Sequence, residues 1–148
     1  MLSRTSSGSE RFDAFLSYRH CNPDAEWVRG VLAPHLRAEG LRVCLDVDEF
    51  RLGAPLVLEM ARGVEESRFT VAVLTPVYLL SGFTELETVL AEHLGVERAE
   101  QRLVIVLREP CQPRLGLRAR TWLDMTDNTK METQMNRLVD AIRQAAEP

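Results

Sequence analysis

Residues 69–95, FTVAVLTPVYLLSGFTELETVLAEHLG, are the stretch whose reading decides the fold. Val71, Ala72, Val73 and Leu74 form an unbroken apolar run with β-branched members, the pattern of a strand covered on both faces of a parallel sheet. Residues 76–82, with Pro76 at one end and Gly82 at the other, read as a loop. From Phe83 the period changes: Phe83, Leu86, Val89, Leu90, His93 and Leu94 share one face at 3.6-residue spacing, which predicts a helix. Glu87 lies four residues after Phe83, at the border of that apolar stripe next to Leu90 and Leu94, whereas Glu85 and Glu92 point toward solvent. One acid is therefore predicted to be half-buried beside an aromatic ring, at the start of a helix that follows a central strand. On spacing alone, an ordinary flanking glutamate fits this position better than a functional one.

Toward the amino end, the Ser-, Thr- and Gly-rich residues 1–10 read as a flexible leader, and a single domain is expected over residues 11–146. Phe12–Ser17 is a first strand and residues 18–22 are the loop leaving its carboxyl end. Asn22 before Pro23 suits a helix start, because Asn can cap and Pro lacks only an N–H that would be unpaired there. Trp27, Val28, Val31, Leu32 and Leu36 give that helix its apolar face, Pro34 should kink it and Gly40 should stop it. A second strand is expected over residues 41–45. It is followed by a loop over 46–55, acidic at one end and Gly-Ala-Pro at the other, and by a helix over 56–66 with Leu56, Met60 and Val64 inward.

Toward the carboxyl end, Leu103–Leu107 is a fourth strand. Residues 108–120, with two prolines, a glycine and four arginines, read as a solvated loop, with a self-association contact as the sharper option. A short strand over 121–125 and a helix around Leu138 and Ile142 close the chain. Strands alternating with helices imply an α/β fold: a flavodoxin-like five-stranded parallel sheet of order 2-1-3-4-5 with helices on both faces. In that order strands 1 and 3 are neighbours whose connections leave toward opposite faces, so a crevice opens at their carboxyl ends. Arg19, Phe83 and Glu87, far apart in sequence, are expected to converge there.

Composition narrows the function classes. The 148 residues are 45% hydrophobic and 27% charged, which suits one domain with a sizeable core. A net charge of -4 argues against nucleic-acid and anionic-membrane binding. No apolar run is long enough to span a bilayer and no signal-peptide core is present. Cys21, Cys44 and Cys111 are widely spaced and lack a CxxC pair, which fits reduced thiols in a cytoplasm rather than a zinc site or a disulfide framework. There is no GxGxxG or GxxxxGK[ST] motif, and residues 75–76 are Thr-Pro where a phospho-accepting receiver would need Asp. His20, His35 and His93 have no evident partners.

Three segments resemble, in order and spacing, the sequence boxes of the Toll/interleukin receptor (TIR) domain: residues 12–19 (FDAFLSYR), residues 46–55 and residues 75–87 (TPVYLLSGFTELE). The second corresponds to the family's BB loop, with Gly53 at its usual glycine. The resemblance covers most of the chain and extends to the NAD-cleaving branch of the family, common in bacterial defence proteins. It implies that Glu87 is the catalytic carboxylate and that Phe83 replaces an aromatic residue which is commonly Trp. It also implies that Arg19 fills a position enzymatic members give to Arg. Tyr18, Asp46, Phe50 and Gly53 complete the expected substrate-binding set. The acidic Asp48 and Glu49 are departures from the pattern.

By the same resemblance, NAD+ is the substrate, and neither a metal nor a separate cofactor is expected. Its nicotinamide is a pyridinium and leaves without a second acid, so one carboxylate suffices, unlike ordinary glycoside hydrolysis. The resemblance further implies homotypic self-association through the BB loop and a sensor domain in the same or a partner chain. The other role it implies is a non-catalytic TIR–TIR adaptor, or an effector that mimics host adaptors. Residues 1–10 and the ending at Pro148 are expected to join the domain to a longer chain.

Overall fold

Five strands lie in the order β2-β1-β3-β4-β5, and every neighbouring pair is parallel. The computed structural model describes residues 11–45, 56–112, 118–119 and 121–146. The strands are β1 (Phe12–Ser17), β2 (Val43–Cys44), β3 (Ser67–Leu74), β4 (Leu103–Leu107) and β5 (Thr121–Asp124). The expected order and the central position of β3 are both present. The leader and the 46–55 loop, with Asp46, Phe50 and Gly53, lie outside the described residues.

Alternation along the strands separates two cores, one on each face. Ala14, Leu16, Val71, Val73, Val104 and Val106 enter one cluster with Val28, Leu32, Leu138 and Ile142. Phe15, Ala72, Leu74, Leu103 and Ile105 enter the other with Val64, Phe83, Leu86 and Leu90. The first is covered by α1 (Asp24–Trp27, a π-helical turn Val28–Leu32, then Ala33–Ala38) and by the closing helix α6 (Met131–Ala146). The second is covered by α2 (Leu56–Glu66), α3 (Pro76–Ser81), α4 (Phe83–Leu94) and α5 (Val96–Arg102). On this face α2 lies so close to β1 that a Cβ on Gly63 would stand 2.9 Å from the Phe15 ring.

Five local expectations are corrected. Residues 76–82 are not all loop: α3 forms because extended Thr75 accepts the Tyr78 N–H on Oγ1 at 3.3 Å and Pro76 follows at the first helical position. Helix α5 is additional. Gly95, at φ +80°, ends α4 and opens a mostly polar helix in which only Ala99 is buried, so no apolar period announces it. Strand β2 is shorter than expected, because the Arg42 N–H donates to the Asp13 carboxylate at 2.7 Å rather than to a strand neighbour. Pro34 leads not to a sharp kink but to the π-helical turn just before it, which accommodates a residue that cannot sit in a regular α-helical interior. Val31, expected inward, is exposed.

Candidate functional site

At the carboxyl ends of β1 and β3 the alternation sets two side chains on opposite faces. Ser17 turns toward α3 and Tyr18 joins the core under α1. The Ser17 hydroxyl meets the Tyr78 hydroxyl at 2.5 Å in a buried hydrogen bond. The Tyr78 ring stands edge-on to Phe83, centroids 6.1 Å apart at 69°, in the geometry the ring quadrupoles favour. Gly82 is required between them, since a Cβ there would lie 2.9 Å from Tyr78 Cε1. Burial pushes the Tyr78 phenol up to about 12 against the opposing effect of the Ser17 bond, so it stays protonated at neutral pH.

Glu87 is half-buried one turn beyond Phe83 on α4, and Glu85 and Glu92 are exposed, as the helical spacing predicts. Phe83 is only 2% exposed, so in this conformation its ring is a core group rather than an open stacking surface. Arg19 is partly exposed, two residues past Ser17 at the exit of β1. Ser17, Tyr78 and Phe83 are thus brought together, with Glu87 on the helix that Phe83 begins. Tyr18 is not: its hydroxyl accepts from Arg29 Nε at 2.8 Å and its ring pairs with His20 on the α1 face. His93, expected on the apolar stripe and without a partner, is exposed and bonded through Nδ1 to Glu65 Oε2 at 2.7 Å, bridging α4 to α2.

A second polar arrangement crosses the same sheet end. Thr75 Oγ1 donates to the buried Asp24 carboxylate at 2.6 Å while accepting the Tyr78 N–H, which ties α1 to α3. Beyond Asp24 lies a cavity of about 300 Å³ lined by Trp27, Arg108, Glu109, Thr126 and Asn128 among others. Arg108, expected to be solvated, lies over the Trp27 ring at 4.8 Å and donates from Nη1 to the Met125 carbonyl at 2.9 Å and to Asn128 Oδ1 at 3.0 Å. The adjoining loop is stiffened by Asp124 and Asp127. Hydrogen bonds from Thr126 and Thr129 hold these two carboxyls below the usual carboxylate range.

Sequence reasoning missed Tyr78, Ser17, Thr75 and Asp24 as a group. Their signal was Thr-Pro at 75–76, a capped helix start that would have put Tyr78 one turn from Gly82 and beside Phe83. Among the described residues no group of three or more His, Cys, Asp or Glu is placed to hold a metal ion, and no helix is long and apolar enough to cross a membrane.

The sheet order, the two-faced helix cover and the boxes at the ends of β1 and β3 define a class. The sequence profile of the TIR domain matches residues 14–139, and the chain belongs to that family. It is similar to human Toll-like receptor 1, 31% identical over 100 residues that cover 68% of this chain and 12% of the receptor. It is also similar to Drosophila melanogaster protein toll, 25% identical over 66% of this chain and 9% of that protein. The chain therefore spans about an eighth or less of the length of these relatives. Among solved structures, the TIR domain of the Toll-related receptor TRR-2 from Hydra magnipapillata superposes with a TM-score of 0.72 at 21% identity, covering 89% of this chain and 98% of that one. A metazoan TIR-STING receptor from C. gigas superposes with 0.69 at 18% identity, covering 96% of this chain and 42% of that one. At these identities the structural likeness speaks for the fold.

Proposed function

We propose that this TIR domain cleaves NAD+ at the nicotinamide–ribose bond, with Glu87 as the catalytic carboxylate, and that self-association switches it on. The observation that carries the reading is the half-buried Glu87, one turn after the buried Phe83 on the helix leaving the central strand. Arg19 stands at the neighbouring exit of β1, where it suits a bidentate contact to a phosphate of the dinucleotide. In the reaction the C1′–N bond breaks and its electron pair passes to the pyridinium nitrogen, releasing neutral nicotinamide. The Glu87 carboxylate holds the ribose hydroxyls and stabilises the oxocarbenium-like state. Water then adds at C1′ and gives up a proton, yielding ADP-ribose; attack at C1′ by a ring nitrogen of the adenine, with loss of a proton, instead yields a cyclic ADP-ribose that contains one water fewer. The domain acts as the effector of a signalling or defence protein whose sensor lies elsewhere in the assembly.

The similarity to proteins named as Toll-like receptors favours a second reading, a signalling module that works by TIR–TIR contact alone. Val57 and Leu58 at the start of α2, and Val77 and Leu80 on α3, are exposed and offer apolar surface for such contact. Nicotinamide release by artificially clustered protein separates the two. Release by the wild type and its loss in Glu87→Ala support the enzyme. Equal release by both, or by neither, leaves the signalling module.

A further inference from the structure

We propose that Tyr78 is a positioning residue of the candidate site, clamping the exit of β1, which carries Arg19, to the start of α4, where Phe83 is the first residue and Glu87 follows one turn on. The inference rests on the NAD+-cleaving reading and names a residue that reading does not use.

Tyr78 is held at three points. Its N–H donates to Thr75 Oγ1 at 3.3 Å, its carbonyl accepts the Gly82 N–H at 2.9 Å, and its hydroxyl meets Ser17 at 2.5 Å. Between these anchors the ring fills the space over Gly82, where no Cβ fits, and meets Phe83 edge-on. Gly82 in turn accepts the Leu86 N–H at 3.2 Å, the bond that opens α4. A displacement at Ser17 is thereby passed through one rigid ring to the turn that orients Glu87.

Filling this space does not require a hydroxyl. Phe would occupy the same volume without taking a phenol out of water, and a buried hydroxyl is unfavourable unless it is bonded. What the Ser17–Tyr78 bond adds is register between the last residue of β1, which the ladder pairs only with Ala72 of β3, and α3, which lies outside the sheet. Register matters here because a misplacement of about 1 Å can lower a rate by about 100-fold.

Stability and positioning can be separated. Replacing both partners of a buried hydrogen bond by apolar groups is close to neutral for stability, whereas replacing one leaves the other unsatisfied. The test compares Tyr78→Phe, Ser17→Ala and the double variant with the wild type, all clustered, by nicotinamide release. The clamp predicts that each single variant lowers kcat by about 10-fold or more with little change in KM, and that the double variant is no better than either single despite recovered thermal stability. Single variants within about 2-fold of wild type, or a double variant whose kcat recovers along with its stability, would overturn it. Hydrogen exchange at the Leu86 amide reads the clamp without any turnover. It should quicken in Tyr78→Phe, and unchanged exchange sinks the clamp even if NAD+ is cleaved. A wild type that releases no nicotinamide while exchange does quicken sinks the NAD+ reading instead.

Discussion

The two faces of the sheet are secured differently. Under α1 and α6, charge does much of the fastening: Arg29 lies over Tyr18, Arg108 over Trp27 and Arg68 over Phe69. On the same face Arg68 also bonds Asp13 and the Ile142 carbonyl, each at 2.8 Å, and Arg143 reaches across from α6 to Glu39 at the end of α1. Under α2 and α4, the carboxyl edge is joined by a neutral hydroxyl pair and an aromatic edge, and four apolar side chains stay exposed beside it. The first face is pinned by arginines that bridge its elements. The other keeps a half-buried acid and uncovered apolar surface, the two things that a ligand and a neighbouring domain would use.

If both faces are equally well packed inside and differ only at the rim, core truncations should cost the same on each. Leu138→Ala and Leu90→Ala, both fully buried, should each destabilise by about 2–5 kcal/mol in chemical denaturation. A cost below about 1 kcal/mol at Leu90 alone would mean that the α4 face is loose throughout, not merely open at its edge.

The next largest effect concerns the charge buried on the second face. Glu59 is 1% exposed and paired with Arg62 at 2.8 Å, and that bond raises the Arg62 pKa above its ordinary value. Arg62→Ala should destabilise by about 1–3 kcal/mol, more than the loss of an exposed ion pair, because it removes one of the partners of a buried carboxylate. A loss no greater than that of an exposed ion pair would show that Glu59 is satisfied by other groups.

On the first face the pH dependence is legible. Burial alone would raise the Asp13 carboxyl, but the bonds from Arg42 and Arg68 outweigh it and hold the carboxyl below the usual carboxylate range. A depressed folded-state value stabilises the protein above the unfolded pKa of about 4, and that stabilisation is lost as pH falls through the folded value. The thermal stability of wild type should therefore exceed that of Asp13→Asn at pH 7, and the gap should narrow in acid. A constant gap would assign the loss to packing.

The smallest effect on stability, and the most informative about the open rim, is expected at Leu80, which is 90% exposed. Leu80→Ser should change stability by no more than about 0.5 kcal/mol while weakening self-association in sedimentation experiments. Unchanged association would remove the apolar rim from the contact surface.

The sheet was legible because its central strands are continuous apolar runs, and the half-burial of Glu87 was legible because helical spacing from Phe83 places it at the stripe border. Tyr18 was misplaced for a reason the same alternation contains: one residue past Ser17, it must point to the other face. Helix α5 and the Asp24–Thr75 and Ser17–Tyr78 bonds were hidden. A polar helix has no apolar period, and hydrogen bonds between residues 51 and 61 positions apart leave no local pattern. Arg108 read as solvated because a charge in a Pro- and Arg-rich loop gives no hint of the Trp27 ring that it covers.

The central claim is that one carboxylate on α4 performs the cleavage, and Glu87→Gln, which keeps shape and removes charge, tests it most directly. Measured beside Glu85→Gln on clustered protein, the account predicts that nicotinamide release falls by at least about 100-fold in Glu87→Gln and stays near wild type in Glu85→Gln. Comparable release from all three proteins would contradict it.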